Sequence, residues 1–186
     1  MSVKYKHSDV YSMYFCTFTC YEWMHLFELT NSYDLAYSWF DILKKDEIEI
    51  VGYVIMPNHV HCILYFPEAD FDLNKILANG KRFMAYEMIN RLEKANDTNT
   101  LTILQNALTE REKKKKQLHK VFRDSFDAKP IFSEKFLLQK LNYIHDNPVK
   151  GKWNLAKDFV LYENSSASFY EESITRHFLP KHYKDL

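Results

Sequence analysis

The run Gly52-Tyr53-Val54-Ile55-Met56-Pro57-Asn58-His59-Val60-His61-Cys62-Ile63-Leu64-Tyr65-Phe66 constrains the fold most, because it sets two histidines two residues apart inside an apolar, β-branched stretch. Side chains alternate across a strand, so His59 and His61 share one face, while Val60, Cys62, Leu64 and Phe66 form an apolar set on the other. Pro57 and Asn58 interrupt the run, which predicts a turn between a strand over 47–55 and a second over 59–66. Two imidazoles on the open face of a strand whose back is buried are spaced to reach one divalent ion. Taken alone, such a pair also decorates many half-exposed strands.

The chain has 186 residues, 46% hydrophobic and 27% charged, enough to bury one core. A single domain over 1–186 is therefore expected, with an irregular extension from about 152. Only 3 glycines stand against 13 tyrosines and 14 phenylalanines, so helices and ordinary loops should surround a small sheet with few tight turns. Cys16, Cys20 and Cys62 fall in predicted strands, are odd in number and lack Cys-x-x-Cys spacing. They read as small buried hydrophobes in a reducing compartment. The N-terminal stretch Met1-Ser2-Val3-Lys4-Tyr5-Lys6-His7 is polar, and no apolar run has the length of a membrane span. A cytoplasmic protein with no membrane partner is the expectation. Zero net charge argues against coating nucleic acid with the whole surface.

Aromatic and β-branched residues over 11–20 predict a first strand, with Phe18 and Cys20 alternating against Thr17 and Thr19. Asn31 or Ser32 can cap a helix to about Lys45, on which Leu35, Trp39, Ile42 and Leu43 recur at helical spacing. A long helix is expected over 73–94, with Ile76, Leu77, Phe83, Met84, Met88, Ile89 and Leu92 as its apolar stripe and Gly80 weakening its middle. After a polar break at 95–100, another helix should run over 101–118. Its second half and the residues beyond contain Arg111, Lys113, Lys114, Lys115, Lys116 and Lys120, a clamp for phosphates or simply a solvated helix face. Ser133 then caps a helix that Pro148 stops. Leu137, Leu138, Leu141, Ile144 and His145 gather on one side of it, and Gln139, Lys140, Tyr143 and Asn147 on the other, with Tyr143 and Asn147 one turn apart. Tyr143 is thus a nucleophile or an amphipathic surface residue. Strand, helix, strand, strand and a later helix suggest an α+β, ferredoxin-like sandwich: a small antiparallel sheet with helices on one face and the site on the other.

Three pieces, Tyr53-Val54-Ile55-Met56-Pro57-Asn58-His59-Val60-His61, Asn142-Tyr143-Ile144-His145-Asp146-Asn147-Pro148-Val149-Lys150-Gly151 and Glu163-Asn164-Ser165-Ser166-Ala167, closely resemble the REP-associated tyrosine transposases. These belong to the single-tyrosine HUH transposases of the insertion-sequence-200 type, named for a His-hydrophobic-His motif. The resemblance covers most of the chain, and the motifs occur in the family's order. It implies a ferredoxin-like nuclease that cuts and rejoins single-stranded DNA, often beside a hairpin, through a tyrosine joined to the DNA 5′ phosphate. His59 and His61 would bind the metal, Tyr143 would be the nucleophile, and Asn147 would be a third ligand, with Asp146 as the alternative. The resemblance also implies Mg²⁺ or Mn²⁺ as cofactor, a hairpin-containing single strand as partner, and a monomer or homodimer. Some relatives assemble the site from two chains.

The residue types suit that chemistry. A phenol with a pKa of about 10 needs a nearby cation to ionise near neutrality, and a divalent ion also offsets charge on the phosphate. The basic run 111–120 would then contact a hairpin stem, and Trp23, Trp153 or exposed tyrosines would stack on unpaired bases. Two rivals are a domesticated relative that binds hairpin DNA without cutting, and a metal-dependent phosphodiesterase that activates water and leaves Tyr143 structural.

Overall fold

The computed structural model describes residues 11–186, so the polar N-terminal stretch lies outside the described residues. Strands β1 (Met13–Thr19), β2 (Glu49–Met56), β3 (His59–Tyr65) and β4 (Asp127–Pro130) form one antiparallel sheet in the order β2-β3-β1-β4. Helix α1 (Leu26–Leu29) is a single turn after β1, and α2 (Tyr33–Lys45) crosses over to β2. Between β3 and β4 lie α3 (Leu73–Lys94), α4 (Thr98–Asn106) and α5 (Glu110–Lys114). This is the expected ferredoxin-like α+β arrangement. The short β4 went unrecognised in the sequence, because its four residues, Asp-Ala-Lys-Pro, carry neither alternation nor β-branching.

Alternation sorts the sheet's two faces. Tyr14, Cys16, Phe18, Val60, Cys62 and Leu64 join the main core with α2 and α3. Phe15, Val51, Val54, Met56 and Ile63 form a second cluster with Leu137, Leu141 and Ile144 of α6 (Glu134–Asp146). The layer of helices predicted on one face is present, but the other face is not open, since α6 lies across it. Both histidines are buried there, each only 5% exposed. The apolar side of α6 was foreseen apart from Leu138, which is exposed.

Local chemistry sets the helix ends. Asp72 caps α3 by accepting from the Lys75 N–H at 2.9 Å, and Ser133 caps α6 by accepting from Phe136 N–H at 3.3 Å. Ser32 stands before α2, yet its hydroxyl accepts from Thr30 rather than from the helix. The helix predicted over 101–118 is two helices, because Thr109 opens a capping box with Glu112 and starts α5 afresh. Gly80 is no weak point. It is buried, and a Cβ there would lie 2.6 Å from the Trp39 indole, so its bareness is what lets α3 close on α2.

The C-terminal part is largely irregular, as expected. It contains short 3-10 turns and α7 (Ala167–Glu172), and it seals the outer edge of β2. Ile55 N–H donates to Asn164 O at 2.8 Å, Ser166 N–H donates to Tyr53 O at 3.0 Å, and Lys181 N–H donates to Ile50 O at 2.9 Å. An edge paired in this way offers no template to another chain. All three cysteines are free and buried. No helix among the described residues is long and apolar enough to cross a membrane.

Candidate active site

His59 and His61 come from the start of β3, at the end where the sheet meets the Pro57-Asn58 turn. Their rings are 4.6 Å apart, centroid to centroid, at 76°. Each has its inner nitrogen occupied. His59 Nδ1 lies 2.6 Å from Asn58 Oδ1, while Asn58 Nδ2 donates to Trp23 O at 3.0 Å. An amide oxygen only accepts, so Nδ1 carries the proton and Nε2 keeps its lone pair. His61 Nδ1 lies 2.7 Å from Thr17 Oγ1, directly across the β1–β3 ladder.

Burial pushes the His59 imidazole down to about 4; a hydrogen bond with Asn147 opposes this and the Lys152 charge adds to it. Burial, His59 and Lys140 push His61 well below the usual imidazole range. Both rings are therefore neutral at pH 7, the form in which imidazole binds a metal.

Tyr143 reaches this pair from α6. Its ring lies 5.2 Å from the His61 ring at 67° and 6.0 Å from Phe15, and it is 49% exposed. Phe15 stacks on His61 at 5.4 Å. The Lys140 ammonium sits 5.6 Å from the centre of the Tyr143 ring, one turn back on α6. Two features let α6 come this close. A Cβ on Gly52 would meet Leu141 Cδ1 at 2.5 Å, and Val51 is the extra residue of a bulge that turns Gly52 towards the helix. On the far side, His145 Nε2 lies 2.9 Å from Ser166 Oγ, which also accepts from Tyr53 N–H at 3.0 Å. The Ser-Ser-Ala segment thus fastens α6 to β2.

A cleft of about 590 Å³ brings together His59, His61, Tyr143 and Asn147, with Trp23 and Trp153 on its rim. Asn147 is in the short 3-10 turn Asn147–Val149 that follows α6, and it lines the cleft with His59. Asp146 also lines the cleft, but its carboxylate is tied to Lys150. Among the described residues no three His, Cys, Asp or Glu side chains gather as a metal centre. The available donors are two imidazole nitrogens held by outer hydrogen bonds and one amide, a set that can hold a divalent ion with water completing the shell and that suits a transition ion such as Mn²⁺ better than Mg²⁺, which prefers oxygen ligands.

The basic run stands apart from the cleft. Arg111, Lys113 and Lys114 are on α5, and Lys115 and Lys116 follow it, all five exposed. Lys113 pairs with Glu110 at 2.9 Å. Lys120 is buried and held by Glu112 at 2.8 Å and Asp124 at 3.3 Å. Burial raises the Glu112 carboxyl, but hydrogen bonds from Lys120 and Thr109 outweigh it and hold it at about 2. Lys120 is therefore a structural cation that fastens the loop to α5, and a phosphate would have to displace two carboxylates to reach it.

Sequence reasoning missed Thr17 and the role of Asn58. Thr17 becomes a partner of His61 only through strand register, which no local pattern reveals. Asn58 reads as a turn residue, and only the fold shows its amide serving both His59 and the Trp23 loop.

No protein-family model matches the sequence, and no curated protein does. Among solved structures, one described as the REP-associated tyrosine transposase bound to a REP hairpin aligns over 97% of this chain and 93% of that one, with a TM-score of 0.64 and 17% identity. A candidate transposase from Deinococcus radiodurans r1 aligns over 78% of this chain and 95% of that one, with a TM-score of 0.43 and 16% identity. At that identity the first likeness speaks for architecture: this chain has the α+β fold of the REP-associated tyrosine transposase.

Proposed function

We propose that this chain is a transposase-type nuclease that cuts and rejoins single-stranded DNA next to a hairpin, using Tyr143 as nucleophile. The observation that carries this is the position of the Tyr143 ring, 5.2 Å from His61 in one cleft with His59 and Asn147. The likeness to a transposase bound to a REP hairpin supports the substrate class.

In the cutting step Tyr143 Oη attacks the scissile phosphorus, a tyrosine O–P bond forms, the P–O3′ bond breaks, and a free 3′-hydroxyl leaves. The phenol proton passes to solvent, and the leaving oxygen takes one up. One phosphoester replaces another, so the step is nearly balanced in energy, and a 3′-hydroxyl can reverse it to join strands. His59 Nε2, His61 Nε2 and Asn147 would hold a divalent ion, whose chemistry is to polarise the phosphate oxygens. Burial keeps both imidazoles neutral for that task, and Asn58 and Thr17 orient them. The Lys140 ammonium, 5.6 Å from the centre of the Tyr143 ring, would offset the charge of a phosphate brought to the phenol. The exposed cations Arg111, Lys113, Lys114, Lys115 and Lys116 would contact the hairpin stem.

The test incubates the protein with labelled single strands drawn from DNA flanking its gene, with Mn²⁺ or Mg²⁺, and resolves the products on a denaturing gel. A labelled band that migrates with the protein and disappears in Tyr143→Phe and His59→Ala is expected. Cleavage that survives Tyr143→Phe without an adduct would assign the chemistry to water, and binding without cleavage would leave a hairpin-binding protein.

A further inference from the structure

Trp23 stands where sequence logic would not leave a tryptophan. It is 47% exposed, and it sits on a turn where Glu22 and Trp23 both take left-handed backbone, at φ 47° and 60°. Non-glycine residues adopt that conformation at a cost, and two in succession persist only where the surroundings impose them. Here the imposing group is Asn58, fully buried, whose amide nitrogen donates to Trp23 O. The same amide oxygen holds His59. One side chain therefore fixes both the aromatic turn and the imidazole.

The Trp23 ring meets the His59 ring edge to face at 6.0 Å, and Trp153 approaches His59 at 6.5 Å. Both tryptophans line the cleft at its His59 side, whereas Tyr143 is against His61. Each indole also has a cation over it: Arg123 is 4.8 Å from the Trp23 ring, and Lys152 is 5.4 Å from the Trp153 ring. Aromatic faces interleaved with cations, next to a position suited to a phosphate, match one repeat of a single strand, in which a base plane and a charged phosphodiester alternate.

We infer that Trp23 and Trp153 form a receptor for an unpaired nucleobase, the one attached to the nucleotide beside the phosphate that Tyr143 attacks. The inference rests on the nuclease reading above and adds a subsite to it. The flanking cations Arg123 and Lys152 meet the phosphates on either side of that base. A paired base cannot enter, because its face is stacked inside the duplex. The subsite therefore selects DNA that is single-stranded at the cutting point, and it tolerates any base because every base presents a π-face.

The test measures anisotropy of fluorescein-labelled single strands from the gene's flanking DNA, in a Tyr143→Phe background that cannot cut. Trp23→Ala is expected to weaken binding by roughly 5- to 100-fold, Trp23→Phe to restore it to within about 3-fold, and a fully paired duplex to bind equally well to all. Trp153 also packs on the second core cluster, so Trp153→Ala is read together with a change made in the DNA instead. A single abasic site is moved along the strand. One or two positions beside the cut should reproduce the loss, and those positions should cost nothing further in Trp23→Ala. Trp23→Ala that binds like its parent, or abasic sites equally tolerated everywhere, would overturn the subsite. If the wild type still forms the tyrosine adduct in that event, only the subsite falls. If the wild type neither binds single strands nor forms an adduct, the nuclease reading fails and takes the subsite with it.

Discussion

Replacing Gly80 by alanine sets two effects of opposite sign against each other. In an exposed helix the change stabilises by about 1 kcal/mol, because alanine loses less backbone freedom on folding. Gly80 is instead buried against α2, and a Cβ built on it would lie 2.6 Å from both Cε2 and Nε1 of Trp39. Non-bonded carbon contacts settle near 3.5–4.0 Å, so helix and ring must separate by about 1 Å. The indole has nowhere to turn. It is 3% exposed, edge-on to Phe18 at 5.7 Å and tilted against Phe40 at 5.5 Å. Overpacking of this kind costs about 1–3 kcal/mol, and contact with a rigid ring belongs at the upper end. About 3 against about 1 leaves a net loss of about 2 kcal/mol, or roughly 4–8 °C in Tm for a domain of this size. Urea unfolding of wild type, Gly80→Ala, Trp39→Phe and the double variant gives the coupling directly. The smaller ring should relieve at least about 1 kcal/mol of the alanine's cost. A Gly80→Ala protein as stable as wild type or more so, with no coupling to position 39, would refute the close approach of α3 to α2.

Three further outcomes are expected. Gly52→Val should push Leu141 and lift α6, lowering the rate of adduct formation by at least about tenfold in a gel time course, with partial recovery in the Gly52→Val, Leu141→Ala double variant. Burial holds the His145 imidazole at about 4, below its unfolded value of about 6.5, so the unfolded chain binds the proton first as pH falls. Its contribution is intact above about pH 6.5 and is lost by about pH 4, about 3 kcal/mol in all. Urea midpoints measured down that range should fall less in His145→Gln than in wild type. Asn58→Ala frees His59 Nδ1 to lose its fixed proton, and calorimetric titration with Mn²⁺ should show affinity reduced about 10- to 100-fold.

The parts of this molecule legible in its sequence are those whose cause is local. The bounds of α3, the Ser133 cap of α6, the turn at Pro57-Asn58 and the shared face of His59 and His61 all follow from patterns within a dozen residues. What stayed hidden depends on contacts between distant segments. The face holding the histidines looks open in β3 alone, and α6, about eighty residues later, covers it. Lys120 reads as one more cation in a basic run, and only the fold shows Glu112 and Asp124 around it. Gly80 looks like a helix defect until Trp39 is placed against it. In each case the residue's local propensity is real, and a partner far away in the sequence decides its role.

The same distinction explains why the Ser-Ser-Ala segment accompanies the histidine and tyrosine motifs although none of its side chains lines the cleft. Tyr143 is on a helix that touches the sheet through a narrow apolar stripe, and such a helix can roll or slide unless something else holds it. Gly52 sets how near α6 can approach, and the hydroxyl of Ser166, seated on the Tyr53 backbone and on His145, fixes it along the strand. Tyr162 and Tyr170 add hydroxyl bonds to Ile55 O and Val51 O, both at 2.8 Å. The C-terminal segment is therefore what converts an edge strand into a rigid seat for the tyrosine helix. On the proposed reading of Tyr143 as nucleophile, a reactive position that must be held to within about 1 Å needs that seat as much as it needs the histidines.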